Sequence, residues 1–179
     1  METEKTLPLE YGELDPSLWL ITINAKVNPK RWKPESYDEL FSMVNSIAKI
    51  EENKYKEIFF MFRSTMNQED FDLLIEKSTI SKNVTVRPLA YLPGMVLENK
   101  LLIVGPADNL HPFQFKSILR RADKGTKIVF IGDNEYFYDP LLDKSGLNYL
   151  TDKFNGLKLH GHIDLNERSK LSMLASKLL

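Results

Sequence analysis

Short apolar segments alternate with amphipathic ones along the chain, and this alternation restricts the fold more than any other feature of the sequence. Runs rich in β-branched and aromatic residues are typical of strands that are buried on both faces. Apolar residues at helical spacing lie between most of these runs and after the last one. The order predicts an α/β fold, a three-layer sandwich with a mostly parallel central sheet. The predicted strands are 18–24, 58–62, 84–86, 101–104, 127–131 and 157–163.

Local signals mark the ends of the predicted helices. Ser36 and Glu39 form a capping box at the start of the first helix, and Asn67 is suited to cap the second. Pro112 fits the first turn of the third helix, and Gly125 is expected to end that helix. The predicted helices cover 37–52, 67–75, 112–124, 145–153 and 168–179.

The composition is that of an ordinary globular domain. The chain has 179 residues, a net charge of −1, 42% hydrophobic residues and no cysteine. We expect one domain over 1–179, in which 1–17 form a polar N-terminal arm. The lack of cysteine excludes disulfides, thiolate zinc sites and cysteine nucleophiles. No apolar run approaches the ~18 residues of a membrane-spanning helix, so we expect a cytoplasmic protein without a membrane partner.

Glycine is unevenly placed in the sequence. Among the eight glycines, only Gly12 precedes Gly94. A phosphate-binding loop needs glycine where backbone amides approach the phosphate closely. The first half of the chain therefore cannot supply a glycine-rich loop of this kind. The nearly balanced charge also argues against a surface built wholly for nucleic acid, although local basic patches stay possible.

Acidic residues follow the fifth predicted strand, in the region where ligands bind in parallel sheets. Asp133, Glu135 and Asp139 could form a magnesium cluster. We favour turn and capping roles instead, because no other strand end offers a partner carboxylate except Asp108.

Histidines form a second candidate site. His160, His162 and Asp164 lie in phase on one predicted strand, so a three-ligand metal site is geometrically possible. Ordinary surface histidines are the more common explanation of such a pair. His111, beside Pro112, is expected at a helix start.

Two basic clusters could contact a partner. The first is the run Lys30, Arg31, Trp32 and Lys33, and the second contains Arg120 and Arg121 together with Lys124 and Lys127. Cations beside an aromatic residue are typical of single-strand binding, and an exposed tryptophan is typical of protein interfaces. Solvated charges at helix ends are the simpler alternative. The remaining aromatic residues are expected in the core, namely Phe59, Phe60, Phe62, Phe113 and Phe115.

Four motifs in the second half are similar to those of one known family. They are RPLAYLPG at 87–94, LIVGPADNLHP at 102–112, IGD at 131–133 and KSGL at 144–147. Their order and spacing resemble the PhoH family, which comprises P-loop ATPases related to the core of superfamily-one helicases. The segment NERSKL at 166–171 is similar to a further stretch of that family. The resemblance implies a P-loop NTPase-like fold and self-association into rings as a possibility.

The departures from the family pattern lie at its nucleotide site. Lys26 and Lys30 lie in a segment without glycine where the family has its phosphate loop. Gly105 and Pro106 replace the family's magnesium-binding aspartate and water-activating glutamate, and Pro93 replaces an arginine. Tyr136 replaces a glutamine, and Asp108 precedes an asparagine that the family shares. The residues that the resemblance retains are Asn109, Asp133 and Arg168.

These departures predict a pseudo-ATPase that is not an enzyme and needs no cofactor. The first hypothesis is a protein-binding accessory or inhibitory module, with a phage or mobile element as its guessed origin. The second is binding of RNA or single-stranded DNA without turnover, through residues 26–33 with Arg120 and Arg121. The third is a metal-dependent phosphoesterase rebuilt around Asp108, Asp133 and His160, which requires these side chains to converge.

Overall fold

A computed structural model describes residues 11–27, 37–134 and 137–165 of the chain. Six strands form one sheet in the order β3-β2-β4-β5-β1-β6, and all five pairings are parallel. The strands are β1 (Leu20–Asn24), β2 (Glu57–Phe62), β3 (Val84–Pro88), β4 (Lys100–Gly105), β5 (Lys127–Gly132) and β6 (His160–Asp164). The predicted α/β fold with a parallel sheet is confirmed.

Four α-helices connect these strands within the described residues. They are α1 (Asp38–Glu51), α2 (Gln68–Lys77), α3 (Pro112–Leu119) and α4 (Gly146–Phe154), and a short 3-10 helix covers Leu89–Tyr91. No helix in these described segments is long and apolar enough to cross a membrane. The predicted C-terminal helix over 168–179 lies outside the described residues.

The helices cover both faces of the sheet and produce two apolar layers. On one face, α1 and α2 bury Phe41, Val44 and Phe71 against side chains such as Ile103. On the other face, α3 and α4 bury residues such as Phe115, Ile118, Leu147 and Leu150. The sheet is therefore the middle of three layers, as predicted.

The helix ends agree with the sequence in part. Asn67 caps α2, since its side-chain oxygen accepts from the backbone N–H of Asp70 at 2.8 Å. Tyr37 precedes α1 without a side-chain cap, and Ser36 of the predicted capping box lies outside the described residues. Gly125 has a positive φ of 72° but lies in the turn before β5, whereas α3 already ends at Leu119.

Two predicted locations are wrong. Phe113 is 70% exposed, because it precedes the inward-facing Phe115 by two positions, about 200° around the helix axis. Lys127 does not belong to a surface basic cluster: its side chain is 2% exposed and its Nζ lies 2.9 Å from Glu51 Oε2. Phe59 is only partly buried, whereas Phe60, Phe62 and Phe115 lie in the core as expected.

Candidate functional site

The loops after β4 and β5 are joined through a buried carboxylate. Asp108 Oδ1 accepts a hydrogen bond from the backbone N–H of Asp133 at 2.9 Å. A Cβ atom on Gly132 would lie 2.8 Å from that same oxygen, so this position requires glycine. Ser145, at the start of α4, donates its hydroxyl to the carbonyl of Asp133. These contacts fix the carboxyl ends of β4 and β5 relative to α4.

We call the carboxyl ends of the strands and the loops that follow them the carboxyl edge. Among its carboxyl groups, Asp108 has the most strongly shifted pKa. Burial raises its pKa to about 7, although backbone hydrogen bonds and Arg63 act in the opposite direction. Its Oδ2 has no hydrogen-bond partner among the described residues. A carboxyl group that titrates near neutrality is common at functional sites. The Asp108 side chain is fully buried, so it contacts the backbone of Asp133 and not the solvent.

Asn24 joins the carboxyl ends of three neighbouring strands. Its Oδ1 accepts from the backbone N–H of Asn134 at 2.8 Å, and its Nδ2 donates to Asp164 Oδ1 at 2.9 Å. Asn24 is fully buried at the end of β1. An amide is suited to this place, because it offers an acceptor to β5 and a donor to β6 at the same time.

Tyr138 and Asp139, which belong to the segment after β5, are held by polar contacts from residues that follow β2 and β4. Asn109 Oδ1 accepts from the backbone N–H groups of Tyr138 and Asp139 at 2.9 and 3.2 Å. His111 Nε2 lies 2.7 Å from Asp139 Oδ2, and Arg63 Nη1 donates to the Tyr138 hydroxyl at 3.1 Å. The backbone N–H of Leu141, together with His111, holds the pKa of Asp139 below its usual range.

A groove opens beside this segment, between the end of β2 and the N-terminal half of α3. It encloses about 390 Å³ and has Arg63 at one end. A second hollow of about 500 Å³ lies along α3 and shares Phe113 and Ser117 with the groove. The remaining described lining of the groove is Ser64, Thr65, Pro88, Leu89, Ala90, Leu92, Pro93, Gln114 and Ile118, and that of the second hollow is Lys116, Arg120 and Arg121. We call these two hollows together the Phe113 groove.

The structure brings together some of the predicted site residues. Asp108, Asn109 and Asp133 meet at the carboxyl edge, next to Gly105 and Pro106, whose peptide bond is cis. Arg120 and Arg121 line the Phe113 groove. Lys26 is exposed after β1. Outside the described residues lie Lys30, Arg31, Trp32, Lys33, Glu135, Tyr136 and Arg168.

The acidic cluster and the three-ligand histidine site, which we did not favour, are not observed among the described residues. Asp139 pairs with His111 and not with Asp133. His160 pairs with the first residue of β1, so it lies at the amino end of β6, a strand length away from the carboxyl edge. No group of three or more histidine, aspartate or glutamate side chains converges within 11–27, 37–134 and 137–165. The arrangement required for the phosphoesterase hypothesis is therefore not observed there.

The sequence reasoning missed Thr22, and it considered Asn24 and Arg63 only as residues that follow a strand. Thr22 and Asn24 are polar residues within an otherwise apolar strand, and that interruption is a signal for a specific hydrogen-bonding role. Arg63 follows β2 directly, but only the structure shows its contact with Tyr138, 75 positions away. His111 was correctly predicted at a helix start: its ring caps α3 and its N–H donates to Gln114 Oε1 at 2.8 Å.

A parallel sheet covered on both faces, with polar groups at the carboxyl ends of its strands, defines the class of three-layer α/β proteins, in which ligands bind at those strand ends. The profile of the PhoH-like protein family matches residues 26–173, and the chain belongs to this family. The sequence resemblance to this family is thus confirmed.

Curated relatives agree with the family match. The chain is 36% identical over 101 residues to Protein PhoH2 of Bacillus subtilis (strain 168), a segment that covers 54% of this chain and 23% of the relative. It is 41% identical over 64 residues to a PhoH-like protein of Synechocystis sp. (strain ATCC 27184 / PCC 6803 / Kazusa), covering 36% of this chain and 20% of the relative. A PhoH-like protein of Bacillus subtilis (strain 168) is 31% identical over 84 residues, covering 47% of this chain and 26% of the relative. The chain thus matches about a quarter or less of the length of the first two relatives.

Family membership corrects one prediction. The departures at the nucleotide site led us to expect a protein that is not an enzyme. That expectation is wrong, because a match over residues 26–173 places the chain in a P-loop NTPase-type family and points to an enzyme. Departures from the family motifs at the nucleotide site were too narrow a basis for excluding catalysis.

Proposed function

We propose that this chain is the PhoH-like domain of a nucleotide-dependent enzyme and that it binds single-stranded nucleic acid in the Phe113 groove. The observation that carries the proposal is the exposed ring of Phe113, which lies between an apolar wall and a row of cations. Bases stack on such rings, and cations beside them neutralise the phosphates that follow.

The shape of the groove supports this use. The segment 88–93 forms an apolar wall on one side of Phe113, and Tyr91 at its rim is 54% exposed. On the other side, Lys116 and Arg120 are exposed on α3 and have no acidic partner among the described residues within ion-pair distance. A strand of nucleotides could stack bases against the wall while its phosphates follow α3.

The nucleotide site of this enzyme is proposed to differ from the family pattern. Gly105 and Pro106 carry no carboxylate where the resemblance implies the magnesium ligand and the general base, and 25–30 contains no glycine. We therefore propose that nucleotide turnover uses other groups of the carboxyl edge, where Asp133 and Arg63 are the charged residues that act on Asp108. An assay of ATP hydrolysis by the full chain, with and without an oligonucleotide, tests this, and the matched variant is Asp133→Asn.

The nucleic-acid proposal is tested by fluorescence anisotropy with a labelled single-stranded oligonucleotide. We expect Phe113→Ala to weaken binding by roughly 5- to 100-fold, since stacking contributes about 1–3 kcal/mol per base. The double variant R120A/R121A should weaken binding and lower its salt dependence, because binding releases fewer counterions from the nucleic acid when phosphate contacts are lost. Leu141→Ala is the control, since this side chain is 81% exposed and lies outside the groove.

A protein partner is the second candidate, favoured by the apolar lining of the groove at Leu89, Leu92 and Pro93. A partner helix or loop that buries these residues would bind with little dependence on salt, unlike a nucleic acid. If the oligonucleotide does not bind at low ionic strength, the nucleic-acid proposal is wrong and the protein partner takes its place. A phage origin and ring formation stay predictions from the resemblance.

A further inference from the structure

Two histidine side chains of β6 converge on one hydroxyl group of β1. The Thr22 Oγ1 atom lies 2.8 Å from His160 Nε2 and 2.7 Å from His162 Nδ1. The strand register explains this, because Thr22 pairs with His162 and the residues at alternate positions of β6 share one face. Thr22 is fully buried, His160 is partly buried and His162 is exposed. The cluster of three side chains is thus buried at Thr22 and reaches the solvent at His162.

The tautomer of His160 follows from its second contact. His160 Nδ1 lies 3.1 Å from the carbonyl oxygen of Phe154, which can only accept, so Nδ1 carries the hydrogen. The Nε2 atom then accepts the one hydrogen of the Thr22 hydroxyl, and Oγ1 accepts in turn from His162 Nδ1. A metal bound by both nitrogens would replace these two hydrogen bonds and move the His162 hydrogen to its Nε2 atom. Imidazoles that bind metals commonly donate their other ring N–H to a backbone carbonyl in this way, because the contact fixes the ring and raises its basicity as a ligand.

We propose that His160 Nε2 and His162 Nδ1 bind one Zn²⁺ ion above the Thr22 hydroxyl. The site is separate from the Phe113 groove and from the carboxyl edge. It lies on β6, which is the outermost strand on the side of the sheet opposite to β3. Zn–N bonds of about 2.0–2.1 Å place tetrahedral ligands about 3.4 Å apart, so small rotations of the two rings would open the space for the ion. Solvent supplies the remaining ligands, since His162 is exposed.

The rest of the neighbourhood agrees with a site of two imidazoles. Asp164 lies further along the same face, but its Oδ1 accepts from Asn24 and is turned toward the carboxyl edge. The Phe154 ring, whose centroid lies 6.2 Å from that of His160, limits movement of this imidazole.

Isothermal titration calorimetry of the full chain with zinc chloride at pH 7.5 tests the proposal. We expect one Zn²⁺ per chain and a rise in Tm on addition of the ion, because binding to the folded state alone stabilises it. His162→Ala, at an exposed position that should not affect folding, is expected to weaken binding at least tenfold. Lowering the pH to 5.5 should weaken binding as well, since protons compete for both rings.

The third histidine of the chain provides the matched control. His111→Gln removes an imidazole from the carboxyl edge and should leave zinc affinity unchanged within a factor of two. Thr22→Val keeps the shape of the strand and tests the hydroxyl separately, and we expect it to retain binding through the two rings. The proposal is wrong if no zinc binds at 1 mM, or if His162→Ala binds zinc as tightly as the natural sequence does.

Discussion

Buried charged side chains are paired at the amino ends of the strands, whereas the buried carboxyl group of Asp108 at the carboxyl ends has no basic partner among the described residues. At the amino ends of the strands, Lys127 Nζ lies 2.9 Å from Glu51 Oε2, and the Tyr11 hydroxyl donates to the same oxygen at 3.3 Å. Lys127 also donates to the carbonyl of Pro16 at 3.2 Å. At the carboxyl ends, Asp108 is buried without a basic residue in contact, and its Oδ2 lacks a hydrogen-bond partner in the described part of the chain.

This difference between the two ends of the sheet indicates which buried charges stabilise the fold and which are available to a ligand. A buried ion pair whose atoms are satisfied by neighbours holds elements together and has no capacity left for a ligand. A buried polar atom without a protein partner costs free energy, so Asp108 contributes little to stability, and it lies at the end of the sheet where ligands bind in parallel sheets. We therefore expect changes at the amino edge to affect mainly stability, and changes at the carboxyl edge to affect pH dependence and ligand binding.

The largest effect is expected from breaking the amino-edge ion pair. Lys127→Met leaves the Glu51 carboxylate buried without its cation, and the free energy of unfolding should fall by about 3–5 kcal/mol. Urea denaturation followed by circular dichroism measures this loss. The double variant K127M/E51L removes both charges and should recover most of the stability, since apolar pairs can replace buried ion pairs.

An exposed ion pair provides the comparison for this experiment. Lys144 and Asp152 lie 2.8 Å apart with side chains that are 44% and 60% exposed. Lys144→Met should change the free energy of unfolding by less than about 1 kcal/mol. Equal losses for Lys127→Met and Lys144→Met would contradict the assignment of the amino edge as the stabilising end.

A pH-dependent effect is expected at the carboxyl edge. The pKa of Asp108 is about 7 in the folded state because of burial, whereas an unfolded aspartate has a pKa of about 3.9. Between these values the folded state binds the extra proton, so the free energy of unfolding should fall as the pH rises from about 4 to 7. Asp108→Asn cannot ionise, and between pH 5 and 8 the natural chain should lose on the order of 2 kcal/mol more than this variant.

Two features of this measurement keep it specific to Asp108. Asparagine retains an oxygen that accepts from the backbone N–H of Asp133, so the connection between the loops is preserved. Asp143→Asn, at an exposed position, is the control and should follow the pH profile of the natural chain. Identical pH profiles for Asp108→Asn and the natural chain would show that burial does not perturb this carboxyl group.

The fold could be predicted from the sequence because its signals are local and repeated. Apolar runs identified all six strands, and the cap at Asn67 identified the start of α2 within one residue. Each of these signals depends on neighbours a few positions away, which a single sequence contains in full.

The candidate site could be predicted only in part, because its contacts join distant positions. The residues after β4 and β5 were predicted from the general rule for parallel sheets, and Asp108 and Asp133 do meet there. The pairing of Lys127 with Glu51 and of Arg63 with Tyr138 spans more than 70 positions, and no periodicity indicates it. Phe113 was assigned to the core on hydrophobicity alone, although its helical phase relative to Phe115 already placed it outside.

The smallest effect is expected at the contact that holds the segment after β5. His111 caps α3 and also lies 2.7 Å from Asp139 Oδ2, so His111→Ala should lower the free energy of unfolding by about 1 kcal/mol. Asparagine can cap a helix but is too short to reach Asp139, so His111→Asn should lose about half as much. Amide hydrogen exchange at Tyr138 and Asp139 separates the two roles of His111, because its contact with Asp139 supports the bonds that Asn109 makes to these two residues, whereas its cap on α3 does not. We expect faster exchange at Tyr138 and Asp139 in both variants, with only a small loss of stability in each. A loss of stability as large as that of Lys127→Met would contradict the contrast between the two ends of the sheet.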